Sequence, residues 1–400
     1  MKLTSLTQVL PFGLLAVAYA CGGTDNTLIG DGGSDSATGS DVSQDNNVIV
    51  DSGLTCTAPM ANCSGNPADG CNVNLSNDNA NCGGCGSVCN TQCANSVCPL
   101  FTADSGVPQN VGDFACLTID STNVYWGTGL AAASGGGVWK VALNGGNATL
   151  MIGNQDRPHS MASDGTNLYY ANFGATAGTG SIQRIAINGT VPTPIAVAQA
   201  QPLDIAVDAT NVYWTNQGDG SVWRSDKATP NPQNVVPASS QGHARFLRID
   251  ASNIYYTDAI TGAAFRVPKT GGTPVSMTSI PTAGHIAIDS TNAYVGSGSN
   301  GQYAILSVAL NATSGSSQQI MPNLKSLGGI ETDGTNVWYS LPTTVFPFQA
   351  NMGAIHRMSI SGQNDVTLVS QQNNPGCLAL DSKSVYWISQ GNGMVSKTGK

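Results

Sequence analysis

The chain contains one glutamate, Glu331, among 400 residues, and only 10% of its residues are charged, against about a quarter in an average soluble domain. A single Glu rules out any carboxylate pair built from two glutamates, although Asp pairs remain open. Glu and Lys, which favour helices, are scarce, while Gly (48), Asn, Ser and Thr are abundant. That balance excludes a helical protein and predicts an all-β, turn-rich chain. No apolar run is long enough to span a bilayer as a helix. No basic stripe exists either. Residues 22–139 hold eleven Asp and no Lys or Arg, while residues 140–400 hold fourteen Lys/Arg against thirteen Asp/Glu. The net charge of −9 therefore belongs to the N-terminal region, and nucleic-acid binding is excluded because nothing could displace counterions from phosphates. The sequence also lacks a Gly-x-Ser-x-Gly elbow, a His-Glu-x-x-His motif and a phosphate-binding loop with Lys. No cofactor and no metal are expected.

What is present begins with an export signal at residues 1–20. Lys2 supplies a positive n-region, and Val9 to Ala18 is apolar but short. The run Ala18-Tyr19-Ala20-Cys21 resembles the lipobox of bacterial lipoproteins. It departs from that family at Ala18, where leucine is preferred, and at the bulky Tyr19. The resemblance implies cleavage before Cys21 and acylation of that cysteine. Residues 21–54 carry Asp25, Asp31, Asp35, Asp41, Asp45 and Asp51 in a Gly/Ser/Asn/Thr background and read as a disordered acidic tether.

Eight cysteines follow in residues 55–99: Cys56, Cys63, Cys71, Cys82, Cys85, Cys89, Cys93 and Cys98. A segment this short cannot build a sufficient core and needs staples. Four disulfides are expected, with 105 pairings open. Zinc is the weaker reading, since the module has no His. The stretch Asn81-Cys82-Gly83-Gly84-Cys85-Gly86-Ser87-Val88-Cys89 with Cys93 and Cys98 resembles the small Stig1-like cysteine modules of secreted proteins, a likeness that implies no catalytic residue.

Residues 100–400 are organised by a sevenfold repeat. Each unit opens with an apolar strand ending in Asp: Asp120, Asp164, Asp208, Asp250, Asp289, Asp333 and Asp381, at spacings of 44, 44, 42, 39, 44 and 48. Asn stands three residues later in six copies and Ser384 in the seventh. Asp is expected to cap a tight turn and Asn to adopt the left-handed conformation that closes it. Two positions on comes an aromatic pair such as Tyr125-Trp126 or Tyr213-Trp214. A Gly-rich loop, a third strand with a basic residue (Lys140, Arg184, Arg224, Arg266, Arg357, Lys397) and a fourth strand complete the unit. The basic residue reads as solvated or turn-pairing. Four short strands per unit is the period of a propeller blade. The fold class is thus an all-β, seven-bladed β-propeller, with six or eight blades as the alternative, preceded by the disulfide-rich module. The seventh copy ends after three strands, so a segment near Ser105 to Val111 is expected to supply its fourth strand. Tyr213-Trp214-Thr215-Asn216 and Tyr255-Tyr256-Thr257-Asp258 resemble YWTD blades, whose family is six-bladed. Seven copies outweigh that analogy. Cys116 and Cys377 share one repeat position and become neighbours only if the ring closes, so they are expected to pair.

With the first strand innermost, the residues four before each Asp lie near the channel mouth: Cys116, Ser160, Asp204, Phe246, His285, Gly329 and Cys377. His159, His243, Arg157 and Arg245 stand beside them. His159, Asp204, His243 and His285 are the candidate site, since His with carboxylate suits metal binding or acid–base work. The arrangement is similar to seven-bladed bacterial lyases with channel-mouth histidines, but no motif matches residue by residue. His356 reads as a surface residue without a partner. Phe346 and Phe348, in the long loop from Leu341 to Gly353, are candidate contact residues. The functional expectation is an envelope lipoprotein acting as a non-catalytic binding or scaffold propeller. Its partner is an unidentified protein or carbohydrate at the cell surface, and it meets the membrane only through its lipid anchor. The alternative is a channel-mouth lyase or hydrolase. Intact mass of the native protein should show a chain that begins at acylated Cys21; a different N-terminus, or an unmodified Cys21, makes it a freely secreted protein.

Overall fold

Each repeat folds into a four-stranded antiparallel sheet, and seven such sheets stand side by side in a ring. This computed structural model describes residues 47–49, 55–102, 106–108, 116–129, 135–239, 242–280, 282–299, 301–313, 316–342 and 352–400. Cys21, residues 22–46 and 50–54 of the acidic tether, Phe346 and Phe348 lie outside them, while Asn47–Ile49, read from the sequence as disordered, is a short strand paired with Thr55–Thr57. Among the described residues the helical content is one 3-10 turn, Pro67–Asp69, and no helix is long and apolar enough to cross a membrane. Blade three is typical, with strands Pro202–Val207, Asn211–Asn216, Val222–Asp226 and Gln233–Val236 in that order from the axis outward. The innermost strands run Leu117–Ile119, Pro158–Ser163, Pro202–Val207, Ala244–Ile249, Ala283–Ile288, Ile330–Thr332 and Pro375–Leu380. Each touches the next, and the last touches the first. The ring has seven blades.

The repeat residues explain how the blades adhere. Neighbouring residues of a strand point to opposite faces, so the paired repeat residues of each second strand, both aromatic in every blade except the fifth, where they are Tyr294 and Val295, serve two interfaces. Tyr213 packs towards blade four with Leu247 and Tyr256, whereas Trp214 packs towards blade two with Tyr169 and Ile182. Each blade interface holds one such buried cluster. The buried phenol needs a partner, and the turn Asp is that partner. Tyr213 donates its hydroxyl to Asp208 Oδ2 at 2.8 Å, while Oδ1 accepts the backbone N–H groups of Thr210 and Asn211. Tyr125, Tyr169, Tyr255, Tyr294 and Tyr386 repeat the bond at 2.6–3.0 Å, and Trp338 donates its indole N–H to Asp333 at 3.2 Å. The repeat Asn residues are absent from the positions with positive φ. They begin the second strand, and the turn is held by the carboxylate rather than by a left-handed Asn.

The turn-pairing reading of the third-strand cations holds in blades one, two, four and seven, where the turn belongs to the next blade, whereas Arg224 donates to Gln233 of its own blade at 2.8 Å. Lys140 donates to the Ile187 carbonyl at 2.8 Å, Arg184 to that of Lys227 at 2.7 Å and Arg266 to that of Leu310 at 2.6 Å. The closing strand is Cys98–Pro99, the end of the cysteine module, rather than Ser105 to Val111. Leu100 N–H continues it by donating to the Val395 carbonyl at 2.9 Å. The module and the propeller therefore share a blade and belong to one compact unit, residues 46–400. The glycines of Cys82-Gly83-Gly84-Cys85 make this docking feasible: a Cβ on Gly399 would lie 2.4 Å from Gly84 N, so the two backbones meet directly.

The module's pairings are Cys56–Cys71, Cys63–Cys85, Cys82–Cys93 and Cys89–Cys98. The fifth disulfide is Cys116–Cys377, with Cα atoms 5.1 Å apart across 261 residues of chain. A Cys116→Ala/Cys377→Ala double variant should lose up to roughly 5 kcal/mol by the chain-entropy relation. The shift of the denaturant midpoint measures it; an unchanged midpoint would mean that the closing strand alone fixes the seam.

Candidate functional site at the channel mouth

Two layers of side chains face the axis, because alternate residues of the innermost strands point inward. The layer nearer the mouth is the one read from the sequence: Cys116, Ser160, Asp204, Phe246, His285, Gly329 and Cys377 all line one channel cavity of about 320 Å³. Two residues further along each strand stand Thr118, Ala162, Ala206, Arg248, Ala287, Glu331 and Ala379. Five of these are small, and two carry opposite charges.

Arg248 and Glu331 meet across the axis. Arg248 Nη2 donates to Glu331 Oε1 in a very short contact, and Nη1 lies 3.5 Å from Asp204 Oδ2. The pair is deep in the protein yet open to channel water, with 29% and 24% of the side chains accessible. Burial works against the Arg248 cation, but Glu331 and Asp204 outweigh it and its proton is held more tightly than usual. Burial pushes the Glu331 carboxyl up, and Arg248 offsets only part of that. Asp204 is fully engaged. It accepts Ser160 Oγ at 2.6 Å, Ile205 N at 3.0 Å and Leu247 N at 2.9 Å, besides Arg248. These donors come from blades two, three and four, so the carboxylate ties three innermost strands together.

The histidines divide. His159 is buried, and its Nδ1 lies 3.1 Å from the Leu203 carbonyl. Burial lowers its pKa to about 4; the Leu203 contact opposes the shift and the Arg245 charge adds to it. His285 stacks on Phe246 with ring centroids 3.7 Å apart. Burial, then the charges of Arg248 and Arg245, bring it to about 3. His243 is exposed and does not join them. Arg157 sits over the Phe173 ring at 5.3 Å, beside Asp156 at 3.5 Å. The Arg245 guanidinium lies 5.9 Å from the centre of the Phe246 ring. Among the described residues no group of three or more His, Cys, Asp or Glu is placed to hold a metal ion. His356, read from the sequence as partnerless, lies 3.3 Å from Asp365 and 3.4 Å from Thr367 Oγ1, and stacks on Tyr339. That cluster sits on blade six, away from the channel lining.

A second cavity, about 360 Å³, opens over blades four to seven. Phe246, His285 and Cys377 line both cavities and form the wall between them. Its other walls include Leu327, Pro342, Pro375, Tyr303 and several glycines. The sequence reading brought His285 and Phe246 to this place but missed Arg248 and Glu331. Their signal was available: opposite charges stand at a repeat position that otherwise holds only Ala or Thr.

No family model matches the chain, and no curated protein matches it. Solved structures do resemble it. A catalytically inactive histidine-to-alanine variant of virginiamycin B lyase from Staphylococcus aureus, solved with quinupristin, is 13% identical, with a TM-score of 0.57 covering 76% of this chain and 99% of that one. A streptogramin B lyase is 11% identical, with a TM-score of 0.57 over 76% and 97%. A chain of a nidogen/laminin complex is 16% identical over 56% and 85%, with a TM-score of 0.44. At these identities the two lyases show a shared β-propeller fold and nothing finer.

The lowered histidine pKa values set an acid response. Both imidazoles are neutral in the native state but take up a proton in the unfolded chain below about pH 6.5. The unfolded state then binds more protons, so stability falls with pH from about 6.5 towards 4, by up to about 1.4 kcal/mol per pH unit per histidine. Glu331 works in the opposite sense. The comparison to make is therefore wild type against His285→Phe, whose stability between pH 6.5 and 4.5 should fall less steeply. Equal slopes would place the His285 imidazole in water.

Proposed function

We propose that the chain is a non-catalytic binding propeller whose ligand enters the channel-mouth cavity, held at the cell envelope by acylated Cys21 and the acidic tether. One observation carries the reading: a cavity of about 360 Å³ has walls of ring, proline and backbone, while the titratable groups around it are committed elsewhere. That volume is at the lower end of ordinary ligand sites. General acid–base work needs a group poised near the working pH. Asp204 is saturated, Glu331 is paired, His159 lies against a carbonyl, and His285 is held far below neutrality. Rigid strands on both sides of the cavity suit preorganised binding. The surface protein or carbohydrate foreseen from the sequence would present an end group to this same mouth.

The competing reading is a lyase or hydrolase using His285, which the fold shared with virginiamycin B lyase keeps in view. A thermal-shift screen of small molecules against the full chain separates the two. Binding predicts ligands that raise the melting temperature of the wild type but not of Gly284→Leu. Gly284 suits this use, because a Cβ there meets nothing closer than the Gly296 carbonyl at 3.5 Å, so the larger side chain fills the cavity without distorting the strand. Conversion of such a ligand to product, abolished in His285→Ala, would replace the binding propeller by an enzyme.

A further inference from the structure

Blade six departs from the repeat along one row of side chains. Directly opposite residues of neighbouring strands share a sheet face, so a row can be followed from the second strand to the fourth. In blade three it reads Trp214, Trp223 and Asn234, and in blade four Tyr256, Phe265 and Ser276. In blade six it reads Tyr339, His356 and Thr367. Two residues before Thr367, and so on the same face, stands Asp365, where blades two, three and four have Pro192, Pro232 and Pro274. Of the seven units, blade six alone brings an imidazole, a hydroxyl and a carboxylate into this row. Asp365 holds His356 through Nδ1, which lies 3.3 Å from both carboxylate oxygens, and its Oδ1 also accepts the Tyr339 hydroxyl at 2.7 Å. The Tyr339 ring stacks on the imidazole with centroids 5.1 Å apart. A carboxylate at Nδ1 fixes the ring proton there and leaves the lone pair on Nε2. Nε2 lies 3.4 Å from the Thr367 hydroxyl, a long contact of the kind that tightens around a bound reactant. Thr367 is exposed, while only 13% of the His356 side chain is accessible, so a molecule arriving from solution meets the hydroxyl before the imidazole.

We propose that Thr367 is an acyl-acceptor site, taking the acyl group of an activated ester on its hydroxyl, with His356 as the base and Asp365 as the group that orients the base. Hydroxyl, imidazole and carboxylate in this order are what activates an oxygen nucleophile. Thr367 Oγ1 bonds to the carbonyl carbon, and its proton passes to His356 Nε2. The bond from that carbon to the leaving oxygen then breaks, and the leaving group departs with the proton from Nε2. The products are acyl-threonine and a free alcohol or phenol. An exposed sheet face supplies little binding energy, so the donors are esters whose leaving group is already good, such as aryl esters. The site is separate from the mouth cavity and reacts once per chain, so it stands whether or not the mouth binds a ligand.

Treatment of the full chain with para-nitrophenyl acetate at neutral pH tests it, with the acetylated positions and their rates read by peptide mass mapping. Thr149, an exposed threonine on the fourth strand of blade one, is the internal control. Thr367 should be acetylated at least about a hundredfold faster than Thr149, the usual gain from a positioned general base. His356→Gln should remove that advantage. Asp365→Asn, which leaves the imidazole in place, should remove at least about tenfold of it, because the ring proton is no longer held on Nδ1. Thr367→Ser should keep the advantage, and Thr367→Val should lose the label with an unchanged melting temperature, since the side chain is exposed. Equal rates at Thr367 and Thr149, or a Thr367 rate that survives in His356→Gln, would overturn the acceptor site. An unchanged rate in Asp365→Asn would remove the carboxylate from it, and a label carried by the His356 ring in Thr367→Val would make the imidazole, not the hydroxyl, the nucleophile.

Discussion

The alternation of a β-strand, which sends neighbouring side chains to opposite faces, is the constraint on which this molecule depends. An aromatic pair on the second strand of a blade must face two different interfaces. The first member is buried against the next blade and the second against the previous one, all the way round the ring. Burying a tyrosine leaves its hydroxyl in need of a partner, and the turn Asp supplies one while its other oxygen gathers two backbone N–H groups. One carboxylate thus fastens the turn, the strand and, in several blades, a cation from a neighbour. At Asp164, burial alone would raise the pKa, yet Lys227, the turn N–H groups and Tyr169 together hold it at about 2. This economy explains why a chain so poor in charge still carries an Asp in every blade.

Ring closure follows from the same logic applied at a seam. The last repeat has three strands, and an open fourth position would leave an unsatisfied edge. The strand that fills it is only two residues long, Cys98–Pro99. So short a strand has little holding power of its own, and its position comes from a framework of disulfides immediately before it. Cys89–Cys98 anchors the strand within the module. Phe101 then stacks on Trp126 of blade one at 5.2 Å, and Cys82, Cys89, Cys93 and Cys98 join the cluster between blades seven and one. The cysteine module occupies the place where other interfaces have blade against blade alone, and Cys116–Cys377 ties the same two blades at the axis.

These differences mark what the sequence could disclose. The repeat was legible because Asp, the aromatic pair and the third-strand cation recur at fixed offsets, and each offset has a local cause. The mouth-facing layer was legible because strand register carries over from one copy to the next. Asp204, His285 and Phe246 fell where counting placed them, whereas His243, four residues before Leu247, sits in the segment leading into its strand and turns outward. The closing strand was misplaced because two residues carry no alternation to read. The reach of Lys140 and Arg184 to the next blade, and the meeting of Arg248 with Glu331, depend on contacts 43–83 residues apart. No local pattern encodes such distances; only the oddity of two charges in an Ala/Thr position hints at the second.

That oddity also shapes the cavity above it. Seven blades leave an axial space that Ala and Thr side chains cannot fill. A long Arg and the sole Glu cross it instead, and they do so as a pair because either alone would be an uncompensated buried charge. The crossing makes the inner channel polar. Directly above it the Phe246–His285 stack and the seam disulfide form an apolar partition. The charge of Arg248 also helps hold His285 neutral, so the polar strut below contributes to the apolar character of the floor above. The mouth cavity is therefore enclosed on the axial side by groups that already have their partners, and its described walls are made of rings, prolines, backbone and the Arg245 side chain.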